Sequence, residues 1–217
     1  MSLDLPKVYP ITDTHLSGLS HAQQVARLIE GGASLIQLRD KNAAPQEFYR
    51  EAAAALQIAR DHNARLIIND RVDIALALKA DGVHLGQTDL PVEAARSLLG
   101  KDAIIGFSTH NLQQAKSATA MPVDYIAFGP IFQTFSKENP EPVAGLSALR
   151  EARAIIGSLP LVAIGGITMA NALEVLKAGA NALAIIAELL ADPLKIEENT
   201  AKILALSASA PNAHWHR

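Results

Sequence analysis

The chain has no cysteine among its 217 residues. This excludes disulfides, zinc thiolate sites and a thiolate nucleophile, and it suits a reducing compartment, so a cytoplasmic location is expected. Basic excess is lacking too: 19 Lys and Arg stand against 22 Asp and Glu, for a formal charge of −3. A nucleic-acid surface needs a clustered basic field, so no nucleic-acid partner is expected, and any attraction for an anionic substrate must be local. No stretch approaches the roughly 18 consecutive apolar residues of a membrane span. The opening MSLDLPKVYPITD lacks a basic region followed by a long apolar run, so neither export nor a membrane partner is expected. The 3 Met and 1 Trp form no stripe.

What is present is apolar and regularly punctuated. Hydrophobic residues make up 49% of the chain and charged ones 19%, the balance of a folded globular enzyme and far from that of a disordered chain. A chain of this length buries one sizeable core, and one domain over 1–207 with a small, polar, flexible tail over 208–217 is expected. Eight short apolar runs recur: VYPIT near Val8, LIQLR from Leu35, RLIIND from Arg65, GVHLG from Gly82, AIIGFS from Ala103, YIAFGPI from Tyr125, LVAIGGI from Leu161 and ALAII from Ala182. Most are continuously apolar, as strands buried on both faces of a parallel sheet are.

Helical patterns lie between these runs. Val25, Leu28 and Ile29 with Gly32, then Phe48, Ala52, Ala55, Leu56 and Ala59, then Val72, Ala75 and Leu76 keep the spacing of one helix face, as do Leu173, Leu176 and Ala180. Gly31-Gly32, Gly100 and Gly179 fall where helices should stop, and Pro91 where one should start. Eight βα units without interruption predict an α/β fold, a single (β/α)8 TIM barrel, ahead of the open doubly wound sheet. Neither GxGxxG nor GxxxxGK[ST] follows the first run, which weakens the dinucleotide and P-loop alternatives.

Polar residues cluster where strands should end: Gln37, Arg39 and Lys41, then Asn69 and Asp70, then Gln87 and Asp89, then Ser108, Thr109 and His110. Barrel active sites lie on that face. Asp70 and Asp89 offer hard oxygen ligands for Mg2+, which binds through one or two carboxylates plus substrate phosphates. Arg39 and Lys41 would neutralise the remaining oxygens, so the chain reads as an enzyme acting on a diphosphate. A second anion site is expected in GPIFQTFSK, through Thr134, Ser136 and Lys137, and at Gly165-Gly166, where backbone N–H groups approach a ligand. Duller readings stand beside these: a surface ion pair for NDR, a solvated strand end for Arg39 and Lys41, a turn set by packing for Gly165-Gly166. His84 reads as a hydrogen-bonded core histidine. His110 either orients a substrate or opens the helix near Asn111. The loop 133–143 is a lid candidate or an ordinary exposed connection.

The ordered set YPITD, QLRDK, INDR, HLGQTDLP, GFSTHN, FGPIF, VAIGGIT and GANALAIIA resembles the thiamine-phosphate synthase family, also called thiamine-phosphate pyrophosphorylase, through about Leu190. The resemblance implies a transferase of a pyrimidinylmethyl group. It would join a hydroxymethylpyrimidine diphosphate to a thiazole phosphate, or its carboxylate, in thiamine biosynthesis, using Mg2+ and releasing pyrophosphate. It implies that Gln37, Leu38, Arg39, Asp40, Lys41, Asn69, Ser108 and Lys137 border the pyrimidine diphosphate, with Arg39, Lys41, Ser108 and Lys137 acting in catalysis. It implies that Asp70 and Asp89 hold the metal, and that Thr134, Phe135, Ser136, Gly166, Ile186 and Ala187 take the thiazole phosphate.

The pattern also departs from the family, which commonly has Pro, Thr and Ser where this chain has Gln133, Ser136 and Ala187. A side-chain hydrogen bond to a charged phosphate is worth about 1.5–3 kcal/mol, so the loss at Ala187 bears on thiazole affinity. Small-molecule substrates are the expected partners. A homodimer is one assembly that the sequence leaves open. The competing readings are a thiazole tautomerase, for which His110 would shuttle a proton, and a noncatalytic barrel that binds thiamine intermediates.

Overall fold

A computed structural model describes residues 5–134 and 141–209. Eight parallel strands are found among them: β1 (Val8–Pro10), β2 (Leu35–Leu38), β3 (Arg65–Asn69), β4 (Gly82–Leu85), β5 (Ile104–Thr109), β6 (Tyr125–Phe128), β7 (Leu161–Ile164) and β8 (Ala182–Ile185). Each expected apolar run supplies one. They pair in the order β1-β8-β7-β6-β5-β4-β3-β2, and the circle closes where Ile11 bridges Gln37 and Thr12 N–H donates to Gln37 O at 2.9 Å. Helices separate successive strands, so the fold is the (β/α)8 barrel.

Strand alternation divides the core into two layers. Tyr9, Ile11, Leu35, Ile67, Ile104, Tyr125, Ala127, Val162, Ala182 and Ala184 fill the barrel interior. Their neighbours, among them Ile36, Leu38, Leu66, Ile68, Val83 and Leu85, face the helices. Interior volume is shared between large and small residues. A Cβ on Gly106 would lie 2.0 Å from the Tyr125 ring, and one on Gly82 would lie 1.9 Å from Ile104 O.

The helices form where local signals agree. Ser20 begins the helix His21–Glu30 with a reciprocal capping box to Gln23. Pro45 opens Pro45–Asp61, whose Phe48, Ala52, Ala55, Leu56 and Ala59 are all buried. Two helical expectations need correction. Leu76 is 47% exposed, and the helix Ala172–Lys177 stops before Ala180, because Gly179 at φ +112 leaves helical geometry. The final helix, Ile196–Ala208, runs one residue into the stretch expected to be tail. Most of that tail lies outside the described residues.

At the barrel end remote from the site, buried Arg153 donates to Asn181 Oδ1 at 2.9 Å and to the carbonyls of Gly157 and Leu159. Arg96 pairs with Asp124 at 2.6 Å. These clamps leave the opposite rim to the polar strand ends. No helix among the described residues is long and apolar enough to cross a membrane.

Candidate active site

The polar strand ends converge on a cavity of about 850 Å³, within the usual range for small-molecule sites. Its walls include Gln37, Arg39, Asp40, Lys41, Asn69, Asp70, Asp89 and Ser108. Gln37, Asn69 and Ser108 belong to the strands themselves. They are inward-facing residues at the C-terminal ends of those strands. Leu38 is not among the lining residues: it is fully buried in the layer facing the helices. Strand alternation turns Leu38 away when Gln37 turns in, so its side chain faces the helix layer and not the cavity.

Asp70 follows β3 in the left-handed region, at φ +62, which Asp tolerates better than most residues. This bend delivers its carboxylate to Lys41 Nζ, 3.5 Å away, and to the Asp89 side chain. Burial above all, reinforced by Asp89 and opposed by Lys41, pushes the Asp70 carboxyl up to about pKa 6. Asp89 is held from the other side, its Oδ2 accepting the Gly86 N–H at 2.7 Å. Two carboxylates brought together at a cavity mouth suit a hard divalent cation that takes its other ligands from water and phosphate. Among the described residues no group of three or more His, Cys, Asp or Glu could enclose a metal by itself. The pair therefore fits Mg2+ shared with a ligand better than a closed structural site.

Under the cavity a hydrogen-bonded chain crosses the barrel. Gln37 Nε2 donates to Tyr9 Oη at 3.1 Å, and Tyr9 Oη meets Tyr125 Oη at 3.0 Å. Tyr125 Oη meets His84 Nδ1 at 2.9 Å, and His84 Nε2 meets Ser108 Oγ at 2.8 Å. Burial raises both phenols well above the ordinary tyrosine range, so they stay protonated and can pass donor polarity in one direction towards Ser108. His84 is the hydrogen-bonded core histidine expected, and it also lines the cavity. Sequence reasoning missed Tyr9 and Tyr125, whose signal was an aromatic with a polar tip inside an apolar run. Asn69 Nδ2 is buried with no partner among the described residues, a donor for which a bound oxyanion is a fitting acceptor.

A second cavity of about 690 Å³ adjoins the first. Thr134, Gly166, Ile186 and Ala187 line it, as expected, and so do Asp13, Glu141 and Glu188, which were not. Phe135, Ser136 and Lys137, with most of the lid candidate, lie outside the described residues. Ser108, His110 and Ile186 border both cavities. His110 precedes Asn111, the cap of the next helix, and its Nδ1 lies 2.8 Å from Gly129 O. The packing role of Gly165-Gly166 is real: added Cβ atoms would lie 2.5 Å from Pro130 Cβ and from Gln133 O, respectively. The same lack of side chains leaves the Gly166 backbone on the cavity wall.

A closed (β/α)8 barrel with two adjoining cavities at the strand C-termini, one carrying a carboxylate pair, defines a small-molecule barrel enzyme. The family model described as thiamine monophosphate synthase matches residues 8–189. The chain is 46% identical over 181 residues to a thiamine-phosphate synthase of Chlorobium phaeovibrioides, covering 83% of this chain and 85% of that one. It is 43% identical to that of Clostridium novyi, covering 85% and 90%. A solved thiamine phosphate pyrophosphorylase from Pyrococcus furiosus is 38% identical, with a TM-score of 0.81 over 93% of this chain and 96% of that one. The chain belongs to the thiamine monophosphate synthase family and, with the thiamine-phosphate synthases it matches, is a transferase.

Proposed function

We propose that the protein joins a hydroxymethylpyrimidine diphosphate to a thiazole phosphate, or its carboxylate, giving thiamine monophosphate and pyrophosphate with Mg2+ as cofactor. One observation carries the reading. The Asp70 and Asp89 side chains meet on the wall of a cavity that also gathers Gln37, Arg39, Lys41, Asn69 and Ser108, and that cavity shares a border with a second one.

The C–O bond at the pyrimidine methylene breaks with its electron pair going to pyrophosphate, and the thiazole nitrogen lone pair forms the new C–N bond. With the thiazole phosphate itself this balance moves no proton, so no protein nucleophile or base is needed; with its carboxylate, CO2 also leaves and a proton takes its place on the ring. Asp70 and Asp89 would hold Mg2+, which when bound neutralises part of the growing charge on the leaving group. Arg39 and Lys41, with Lys137, meet the remaining oxygens, and interactions that strengthen as charge develops lower the barrier. Gln37 and Ser108, fixed at either end of the buried hydrogen-bond chain, orient the pyrimidine. Thr134, Phe135, Ser136, Gly166, Ile186 and Ala187 hold the thiazole phosphate, and the shared border aims its nitrogen at the methylene carbon.

A thiazole tautomerase would draw on His110 at the junction, but its proton transfer makes no use of a carboxylate pair, and that pair favours the synthase. A coupled assay for thiamine monophosphate, run with and without Mg2+, tests the proposal. Product only with metal supports it. Ligand binding without turnover when both substrates are supplied would leave a noncatalytic barrel.

A further inference from the structure

Behind Arg39 and Lys41 lies a cluster of Thr12, His21 and Asp40, of which only Asp40 lines the first cavity. Thr12, fully buried, uses one oxygen for two partners: Oγ1 accepts the Arg39 N–H at 3.2 Å and lies 2.8 Å from His21 Nδ1. The Asp40 carboxylate faces Nε2 and favours a proton there, so Nδ1 accepts the Thr12 hydroxyl proton while an Oγ1 lone pair takes the Arg39 N–H. Burial lowers the His21 pKa, outweighing the opposing fields of Asp40, Glu51 and Asp13, so the ring is neutral at pH 7. Its Nε2 is buried with no hydrogen-bond partner among the described residues. It faces Asp40 Oδ2 at 3.6 Å, beyond hydrogen-bonding distance but within a small adjustment of it. Asp40 in turn shapes the loop, its Oδ1 accepting the N–H groups of Asn42 and Ala43 at 2.9 Å each. The His21 ring packs edge-on to Phe48, centroids 5.6 Å apart, so its own position is fixed by the helix layer.

We infer that His21 is a positioning residue: with Thr12 it grips Arg39 from one side and Asp40 from the other, holding the Arg39–Lys41 segment where it meets the leaving diphosphate. The inference rests on the preceding reading of Arg39 and Lys41 as diphosphate ligands. A donor left unpaired in a buried cluster costs stability, and closing the 3.6 Å gap as the site fills would recover that cost only when Asp40 and its neighbours reach their working positions.

The test compares wild type with His21→Phe, which keeps a ring against Phe48, and with Thr12→Val, which keeps shape but removes the hydroxyl. Misplacing a charge-bearing segment is expected to lower kcat about tenfold or more. Mg2+-pyrophosphate binding, read by calorimetry, should weaken in step, while KM for thiazole phosphate stays within about twofold, since Thr134, Gly166, Ile186 and Ala187 lie outside this cluster. His21→Gln, whose amide N–H reaches towards Asp40, should recover most of the loss. A purely structural role would lower the melting temperature and leave kcat per folded molecule and pyrophosphate affinity unchanged, which overturns the inference. Equal damage to both substrates, or no rescue by Gln, also overturns it. If His21→Phe fails to fold, Thr12→Val and His21→Gln decide. Absence of wild-type turnover would overturn the proposed function, and the pyrophosphate affinities of the variants would still judge the role of His21.

Discussion

Replacing Asp70 by Asn should make the metal-free protein more stable at neutral pH. The carboxyl is pushed from 3.8 to about 6, mainly because burial beside Asp89 disfavours its charge. A folded-state pKa above the unfolded value means that this site stabilises the fold fully below about pH 3.8. That contribution is lost as pH rises through about 6. The shift corresponds to about 3 kcal/mol. Asp70 is 24% exposed and its Lys41 partner 54%, so solvent screening reduces the realised value to about 1–2 kcal/mol.

Asn carries no charge, has nearly the same shape, and accepts the left-handed backbone at this position. For a chain of this size, the variant should melt roughly 2–8 °C above metal-free wild type at pH 7.5, with the difference closing towards pH 4. Thermal melts followed by circular dichroism in chelator across that range provide the assay. Saturating Mg2+ should then raise the wild-type melting temperature and leave the variant nearly unmoved. A variant no more stable than wild type at pH 7.5, or an advantage independent of pH, would refute the reasoning about the carboxylate pair.

Asp70→Ala and Lys137→Ala should each lower kcat by roughly 10²–10³, the usual loss for one preorganised electrostatic partner, and near wild-type turnover in both would remove these assignments. Gly166→Ala places a Cβ 2.5 Å from Gln133 O at φ +63. It should raise KM for thiazole phosphate more than KM for the pyrimidine diphosphate, which steady-state kinetics will separate. Gly106→Ala drives a Cβ to 2.0 Å from the Tyr125 ring. Overpacking of this kind costs about 1–3 kcal/mol, so chemical denaturation should show a lower midpoint, and an unchanged midpoint would mean that the interior has slack at this layer.

The eight strands were legible because burial on both faces leaves uninterrupted apolar runs, and a polar residue at the end of such a run marks the barrel mouth. Gln37, Asn69, Asp70, Asp89 and Ser108 stood out for that reason, and all five line the first cavity. Leu38 departs from its neighbours in QLRDK because period-two alternation turns its side chain towards the helices. Tyr9 and Tyr125 were hidden because a phenol inside an apolar run resembles core until its hydroxyl is seen to find a partner 116 residues away. Thr12 and His21 gave less signal still: their meaning depends on the Arg39 N–H, which only closure of the first strand on the second brings to them. Leu76 followed its helix stripe in sequence, but its position on a short helix of seven residues leaves it at the surface.

Asp70 and Asp89 together would hold a divalent cation with the leaving pyrophosphate. Calorimetric titration of pyrophosphate into wild type and into the Asp70→Asn and Asp89→Asn variants, each with and without Mg2+, tests it most directly. Wild type should bind pyrophosphate tightly only when Mg2+ is present, and either substitution should weaken that binding at least about tenfold, the loss expected when one charged partner is removed. Equal affinity with and without the metal, or variants that bind as wild type does, would show that the two carboxylates hold no such cation.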